Sequence, residues 1–88
     1  MDICAGGTIN SGATSITFTN NHAVPCNITS CSLPGFPTIP PNVVVPARVG
    51  SQPGTKTVQL NPPPTVKGDY PYTADCCDQL TGPVIKVQ

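Results

Sequence analysis

The sequence predicts an all-β domain, and three observations lead to this prediction. Threonine, valine and isoleucine, which favour strands, dominate the chain outside its turns. Twelve prolines leave few stretches long enough for a helix of about 8–20 residues, and "YTADCCDQLTG", residues 72–82, is the best place for a short one. Turn residues separate short apolar runs throughout the chain, which is typical of a β-sandwich or barrel.

The first three strands are marked by alternating polarity and by polar turns. The first, at about residues 3–9, ends at an Asn-Ser-Gly turn, and the second, at 14–20, alternates Ile16 and Phe18 with threonines. An Asn-Asn turn then leads into the third strand, 24–31. Because successive side chains of a strand point to opposite faces, we expect alternate apolar residues to face the core.

The last four strands lie between proline- and glycine-rich turns. We place them at residues 42–46, 55–60, 66–73 and 83–88. The third of these contains Pro71, and a proline within a strand belongs at an edge or a bulge. Residues 1–88 therefore make one domain of seven strands, in which these residues are predicted to point inward: Ile9, Ile16, Phe18, Ile28, Val44, Val58, Leu60, Tyr70, Tyr72 and either Val84 or Ile85.

The composition excludes several functional classes. Charged residues are 9% of the chain and the formal net charge is zero, so no basic surface for nucleic acid or anionic membrane is predicted. No run of about 18 apolar residues predicts a membrane span, and "MDICAGG" lacks the features of a signal peptide. Phosphate-binding loops, Ser-His-Asp sets and metalloprotease motifs are absent from the sequence, so we expect no enzyme.

Five cysteines in 88 residues indicate an oxidising compartment, because so small a core often needs disulfides. We therefore expect a secreted or periplasmic protein. The odd number means that at least one thiol is free, pairs with another chain or binds a metal.

Two segments together resemble the cupredoxin family, the small blue-copper β-sandwiches, and its plastocyanin-like members in particular. In that family a strand similar to "ITFTNN" leads through a short loop into Pro-His-Asn, whose histidine is a copper ligand. Here "ITFTNNHAVPCN" has the same order, with Cys26 at the position of the histidine. The resemblance implies a seven- or eight-stranded Greek-key β-sandwich from which one N-terminal strand of the usual eight is missing or reduced.

The second segment is "GDYPYTADCCDQLTGPVIKV". The family pattern is Gly-x-Tyr-x-aromatic-x-Cys-x-x-His, a methionine a few residues later and a closing strand. The alignment places Ala74 at the ligand cysteine, Cys77 at the second ligand histidine, and Leu80, Thr81 or Gly82 in the axial methionine region. Since a blue-copper centre needs two imidazoles and one thiolate, the resemblance implies a module that has lost this site and needs no cofactor.

The resemblance also implies that Cys26 and Cys77 lie near each other at one end of the sandwich, where we expect them to form a disulfide. A second bridge, between Cys4 and Cys31 or between Cys4 and Cys76, is an open alternative, as is a buried free Cys31. Sequence alone does not fix the pairing.

Two other hypotheses involve the same residues. Cys26, Cys76 and Cys77, with His22, would form a thiolate-rich site for Cu(I) or Zn(II), although adjacent cysteines on an extended chain point in different directions. Cys76 and Cys77 would alternatively form a redox pair, but the aspartates that flank them should raise the pKa of both thiols.

The remaining polar candidates have simpler interpretations. His22 is predicted to be a solvated turn residue. Asp75 and Asp78 are expected to solvate and cap their loop, because no nucleophile accompanies them. Asn27-Ile28-Thr29 fits the N-glycosylation pattern.

We therefore predict a disulfide-stabilised structural or binding domain with an unknown protein partner. The proline-rich segment "SLPGFPTIPPNVVVPARVG" would offer the binding surface, with Phe36 and Ile39 as contact residues. The alternative is that both residues belong to a flap that covers the core in place of the missing strand.

Overall fold

The structure of the protein is a computed structural model that describes residues 1–77 and 82–88. Seven strands form two sheets, and no helix occurs within these two ranges. This confirms the all-β prediction. None of the described residues lies in a helix that could span a membrane. The strands are β1 (Gly7–Ile9), β2 (Ser15–Asn20), β3 (Cys26–Cys31), β4 (Val43–Val45), β5 (Gly54–Gln59), β6 (Gly68–Ala74) and β7 (Val84–Val87).

The larger sheet has the strand order β1-β7-β6-β3-β4, and the smaller sheet consists of β2 and β5. β1 pairs with β7 in parallel, and the other neighbouring strands are antiparallel. Since β3 and β6 are adjacent and antiparallel, with Ile28 opposite Ala74, the start of β3 and the end of β6 meet at one end of the molecule. This end brings the cysteines together.

The core lies between the two sheets and centres on two aromatic rings. Phe18 of β2 and Tyr72 of β6 pack edge to face with 5.6 Å between their ring centroids, and the Tyr72 hydroxyl donates to the Ile3 carbonyl at 2.7 Å. Most residues predicted to point inward are buried, while Ile9 and Tyr70 are half-buried. Within residues 1–77 and 82–88, the buried apolar residues are Ile3, Ile16, Phe18, Cys26, Ile28, Leu33, Val45, Val58, Leu60, Tyr72, Ala74, Ile85 and Val87.

The inward prediction is wrong for Val44, which is 46% exposed, whereas Val45 is buried. The reason is the register of β4 on β3: Val45 lies opposite the buried Cys26, and Val44 lies opposite Asn27. Because side chains alternate along a strand, a shift of one residue moves the apolar side chain to the other face. Three consecutive valines gave no means of choosing the inward one.

The strands begin and end within about two residues of their predicted bounds except for the first, and a short predicted helix is not found among the described residues. The first strand is shorter than predicted because the Asp2 carbonyl accepts hydrogen bonds from the amides of Ala5 and Gly6, which closes a turn before β1. The short helix considered at residues 72–82 is absent from its described part, residues 72–77 and 82: β6 continues to Ala74 and a turn follows.

The proline-rich segment folds back onto the sandwich. Phe36 and Ile39 are half-buried and pack against the core, and the Phe36 ring lies edge to face against Phe18 with 6.2 Å between centroids. The Gly35 carbonyl accepts a hydrogen bond from the Asn61 amide at 2.9 Å. These contacts agree with the flap alternative for Phe36 and Ile39.

Candidate functional site

Four cysteines and one histidine meet at the end of the sandwich where β3 begins and β6 ends. Cys26 is the first residue of β3, and Cys76 and Cys77 follow β6. Cys4 comes from the turn before β1, and His22 comes from the loop between β2 and β3. We call these five residues the cysteine cluster.

Two disulfides occupy all four cysteines of the cluster. Cys4 is bonded to Cys77 and Cys26 to Cys76, with 5.3 Å between the Cα atoms in each pair. The predicted pairing of Cys26 with Cys77 is therefore wrong, as are both alternatives considered for Cys4. The physical reason is that Cys76 and Cys77 lie side by side, so either of them is within reach of Cys26.

The turn after β6 brings the two adjacent cysteines to the same side of the chain. The Cys77 amide donates to the Ala74 carbonyl at 3.3 Å, and the sulfurs of Cys76 and Cys77 are 3.7 Å apart without being bonded. The expectation that adjacent cysteines diverge holds for an extended chain. It fails here because the chain turns at these residues.

His22 is exposed, as predicted, and its Nε2 lies 3.5 Å from the Cys4 sulfur. The loop that carries His22 is held by Asn20, a fully buried residue at the end of β2. The Asn20 side-chain oxygen accepts from the His22 amide at 2.8 Å, and its nitrogen donates to the carbonyls of Val24 and Pro46 at 2.9 and 3.1 Å. Asn20 is a positioning residue, whereas the sequence predicted only the end of a strand and the start of a turn at this position.

Asp75 joins the turn after β6 to β3. Its carboxylate accepts from the Asn27 backbone amide at 2.9 Å and from the Asn27 side-chain nitrogen at 2.6 Å. These two hydrogen bonds hold the pKa of Asp75 below its ordinary value, and the bond from the backbone amide has the larger effect. The same contact engages the nitrogen to which a glycan would be attached in the Asn27-Ile28-Thr29 pattern.

Cys31 is the free cysteine of the described residues, and it is half-buried. Burial raises the pKa of its thiol above the ordinary value. A hydrogen bond with the Leu33 backbone lowers this pKa by a smaller amount. It lines a shallow groove with Ser30, Ser32, Pro71, Tyr72 and Thr73. A thiol with a raised pKa is a poor nucleophile at neutral pH, so the groove offers no activated cysteine.

Three cysteines of the predicted metal set, Cys26, Cys76 and Cys77, have ligand atoms within 4.8 Å of one another. The predicted fourth ligand, His22, belongs instead to a second group with Cys4 and Cys76, again within 4.8 Å. Cys76 is common to both groups. Cys4 was absent from the predicted metal set, because nothing in the sequence around it indicates that it lies near the other cysteines.

The residues at the copper-ligand positions of the cupredoxin alignment do not fit a type 1 copper ion. Ala74 is buried and its methyl group has no ligand atom, while Cys26 and Cys77 are already in disulfides. Leu80 and Thr81, two of the three residues aligned with the axial position, and Asp78 lie outside the described residues. Gly82 is exposed and has no side chain to offer.

Comparison with protein-family models, with curated protein sequences and with solved structures finds no match to this chain. Its function therefore has to be inferred from the cysteine cluster itself. In the oxidised state shown by the structure, the cluster holds segments of the chain together and presents no thiolate.

Proposed function

We propose that the chain is a non-enzymatic, cupredoxin-like Greek-key sandwich that serves as a disulfide-stabilised structural or binding domain. The observation that carries this proposal is the pairing of all four cysteines of the cluster into two disulfides. Disulfides of this kind are typical of oxidising compartments, which supports a secreted or periplasmic location.

The strand arrangement supports the Greek-key part of the proposal. β3, β6 and β7 are neighbours in one sheet and face β2 and β5. Immunoglobulin-type Greek-key sandwiches have the same arrangement: in their lettering, strands C, F and G are neighbours in one sheet, and this sheet faces strands B and E. Those domains often carry a tyrosine near the start of strand F whose hydroxyl bonds to the backbone a few residues upstream. Tyr70 of β6 makes the corresponding bond to the Val66 carbonyl at 2.6 Å.

The position of the disulfides supports a structural role for them. They span 73 and 50 residues, and closing loops of this length contributes about 4 kcal/mol each in the chain-entropy model. The total free energy of unfolding of a small domain is about 5–15 kcal/mol. Because the two loops are nested, their contributions are not fully additive. The contribution of either bridge alone is still a large part of the expected free energy of unfolding.

Within this proposal, a protein partner would bind a surface other than the one predicted at Phe36 and Ile39. Phe36 and Ile39 pack on the core, and this position favours the interpretation that they belong to a flap over the interpretation that they contact a partner. Among the residues that the structure describes, the most exposed large apolar side chains lie elsewhere, at Val24, Val44, Val49 and Val66. Val44 is on β4, at the edge of the larger sheet, where its outward position leaves the side chain accessible.

A metal-handling function is the second candidate, and the closeness of Cys26, Cys76 and Cys77 favours it. The ion would be Cu(I) or Zn(II), because both prefer thiolates. A thiolate is the ligand form of cysteine, so this function would require reduction of the disulfides first. The disulfide-stabilised domain is preferred because it needs no such step.

Thiol counting separates the two candidates. The protein would be purified without reductant, unfolded, alkylated and measured by intact mass, and its metal content would be determined in the native state. We expect one alkylated thiol, assigned to Cys31 by comparison with Cys31→Ser, and no stoichiometric metal. Three or more alkylated thiols together with about one equivalent of zinc or copper would refute the disulfide-stabilised domain and favour the metal-handling protein.

A further inference from the structure

The sulfur atoms of one disulfide lie close to the sulfur atoms of the other. The Cys76 sulfur is 3.9 Å from that of Cys4 and 3.7 Å from that of Cys77, although it is bonded to neither. Cys26 completes the set as the bonded partner of Cys76. The Cys76 sulfur therefore lies beside the sulfurs of all three other cysteines of the cluster.

Two of the six sulfur–sulfur distances among these cysteines are those of a tetrahedral thiolate site. A zinc ion with four Zn–S bonds of about 2.3 Å places its sulfurs at the corners of a tetrahedron with edges of about 3.8 Å. The two non-bonded separations match that edge. On reduction, the bonded pairs would have to separate to a similar distance, which rotation of side chains with Cα atoms 5.3 Å apart allows.

We propose that reduction of both disulfides creates a four-thiolate site for a soft d10 cation, with Cys4, Cys26, Cys76 and Cys77 as ligands. The proposal deepens the metal-handling candidate and rests on it. It adds Cys4 as a ligand and makes the redox state the switch, because the same sulfurs serve either as disulfides or as ligands.

The reaction balances with a dithiol as reductant. Two dithiol molecules give up four electrons and become two cyclic disulfides, while both S–S bonds of the protein break and four thiols form. Binding of Zn²⁺ then displaces the four thiol protons. For each protein molecule, two dithiols and one zinc ion are consumed, and two cyclic disulfides and four protons are released. After removal of the metal, two molecules of the cyclic disulfide accept four electrons and four protons, which re-forms both bridges and two dithiols.

His22 is placed to support this site from outside. Its Nε2 is 3.5 Å from the Cys4 sulfur, so the tautomer that carries its hydrogen on Nε2 would donate to the Cys4 thiolate. Asn20 fixes the loop through the His22 backbone amide. His22 is thus a positioning residue for the Cys4 ligand. Substitution of His22 tests this role separately from the role of the four sulfurs.

The test uses Cys31→Ser as the background, so that only the cluster contributes thiols. The protein is reduced with excess dithiol, freed of reductant without air and titrated with Zn²⁺, and with Co²⁺ as a spectroscopic probe. We expect one ion per chain, the visible absorption of tetrahedral Co²⁺ with sulfur-to-metal charge transfer for four thiolates, and dispersed amide NMR signals in the zinc-bound protein. The unreduced protein should bind neither ion.

Variants identify the ligands. Adding Cys4→Ser should lower the charge-transfer intensity to that of three thiolates and weaken zinc binding by at least about 10-fold, since loss of even an outer partner has that effect. Adding His22→Ala should leave the four-thiolate spectrum unchanged and weaken binding by about 10–100-fold.

Three results would overturn the proposal. Equal spectra with and without Cys4 would remove Cys4 from the site while leaving the three-cysteine candidate intact. Absence of binding by the reduced protein would refute both metal hypotheses, without bearing on the thiol count of the oxidised domain. Bound zinc in a protein whose NMR signals remain collapsed would show that the unfolded chain, and not the folded cluster, captures the ion.

Discussion

Asn20 shows how a single polar side chain organises the loop beside the cysteine cluster. It is fully buried, yet its side-chain amide bonds to two segments: to the His22 amide and the Val24 carbonyl in the loop between β2 and β3, and to the Pro46 carbonyl just after β4. Buried polar groups are stable only when their hydrogen bonds are satisfied, and Asn20 meets this condition. The sequence "TNNH" predicted a turn here, but it gave no indication of which asparagine would be buried.

Asp75 is predicted to make the stability of the protein sensitive to acid. Its pKa is lowered in the folded state by the two hydrogen bonds from Asn27, so the unfolded chain takes up a proton first as the pH falls. Its stabilising contribution is complete above the unfolded pKa of about 3.9 and is lost as the pH falls through the lower folded pKa. Melting temperatures measured between about pH 5 and 2 should therefore fall less steeply for Asp75→Asn than for the wild type.

The control for this prediction is Asp69→Asn, which changes an exposed carboxylate of β6 outside the cysteine cluster. It should follow the wild-type curve. Equal slopes for the wild type and Asp75→Asn would contradict the stabilising role assigned to the Asn27 contact.

The segment after β3 illustrates how a turn fixes a larger element in place. Gly35 has a φ of +85°, and a Cβ atom there would overlap the carbonyl oxygen of Pro62. The chain can approach Pro62 this closely only because residue 35 has no side chain. The neighbouring Phe36 is then held against Phe18.

Gly35→Ala is predicted to loosen the flap and destabilise the domain. The left-handed backbone alone costs an alanine about 1–2 kcal/mol, and overlap with Pro62 should add about 1–3 kcal/mol. Gly12→Ala is a matched control, because Gly12 also has a φ of +85° but a Cβ atom added there would meet no other atom within 4 Å. Urea unfolding followed by circular dichroism measures the difference, and equal losses in the two variants would exclude the contact with Pro62 as a stabilising feature.

The strands themselves were largely predictable, whereas their exact pairing was not. Alternation identified Ile16, Phe18 and Val58 as core residues because half-buried strands have a period of two. Pro71 indicated an edge or a bulge, but β6 lies between β7 and β3, and the irregular register is found in β3 between Ile28 and Ser30. Local sequence does not encode which strand will become the neighbour of a proline-containing one.

The resemblance of two segments to one family predicted that Cys26 and Cys77 meet at one end of the molecule, but it predicted neither the place of Cys4 nor the connectivity of the cluster. Cys26 and Cys77 do lie within 4.8 Å at one end of the molecule. Their bonds go to Cys76 and Cys4 because the turn at Ala74 presents two neighbouring sulfurs. A choice between adjacent cysteines depends on side-chain direction, and that direction is set by a turn that the sequence did not predict.

Removal of either disulfide is predicted to weaken the whole domain. Cys4→Ala/Cys77→Ala and Cys26→Ala/Cys76→Ala should each lower the free energy of unfolding by about 2–5 kcal/mol, because each restores freedom to a long loop of the unfolded chain. Cys31→Ala, which breaks no bridge, is the control. Urea unfolding without reductant measures these changes, and a loss below about 1 kcal/mol in both double variants would contradict the structural role of the bridges.

The nesting of the two bridges has a further consequence for cleavage by proteases. Cys4 and Cys26 both lie before the proline-rich segment, and their partners Cys77 and Cys76 both lie after it. A single cut anywhere between Cys26 and Cys76 therefore leaves two pieces that are still tied together at two points. Such a nicked molecule would run as one species on a gel without reductant and as two species once reductant is added.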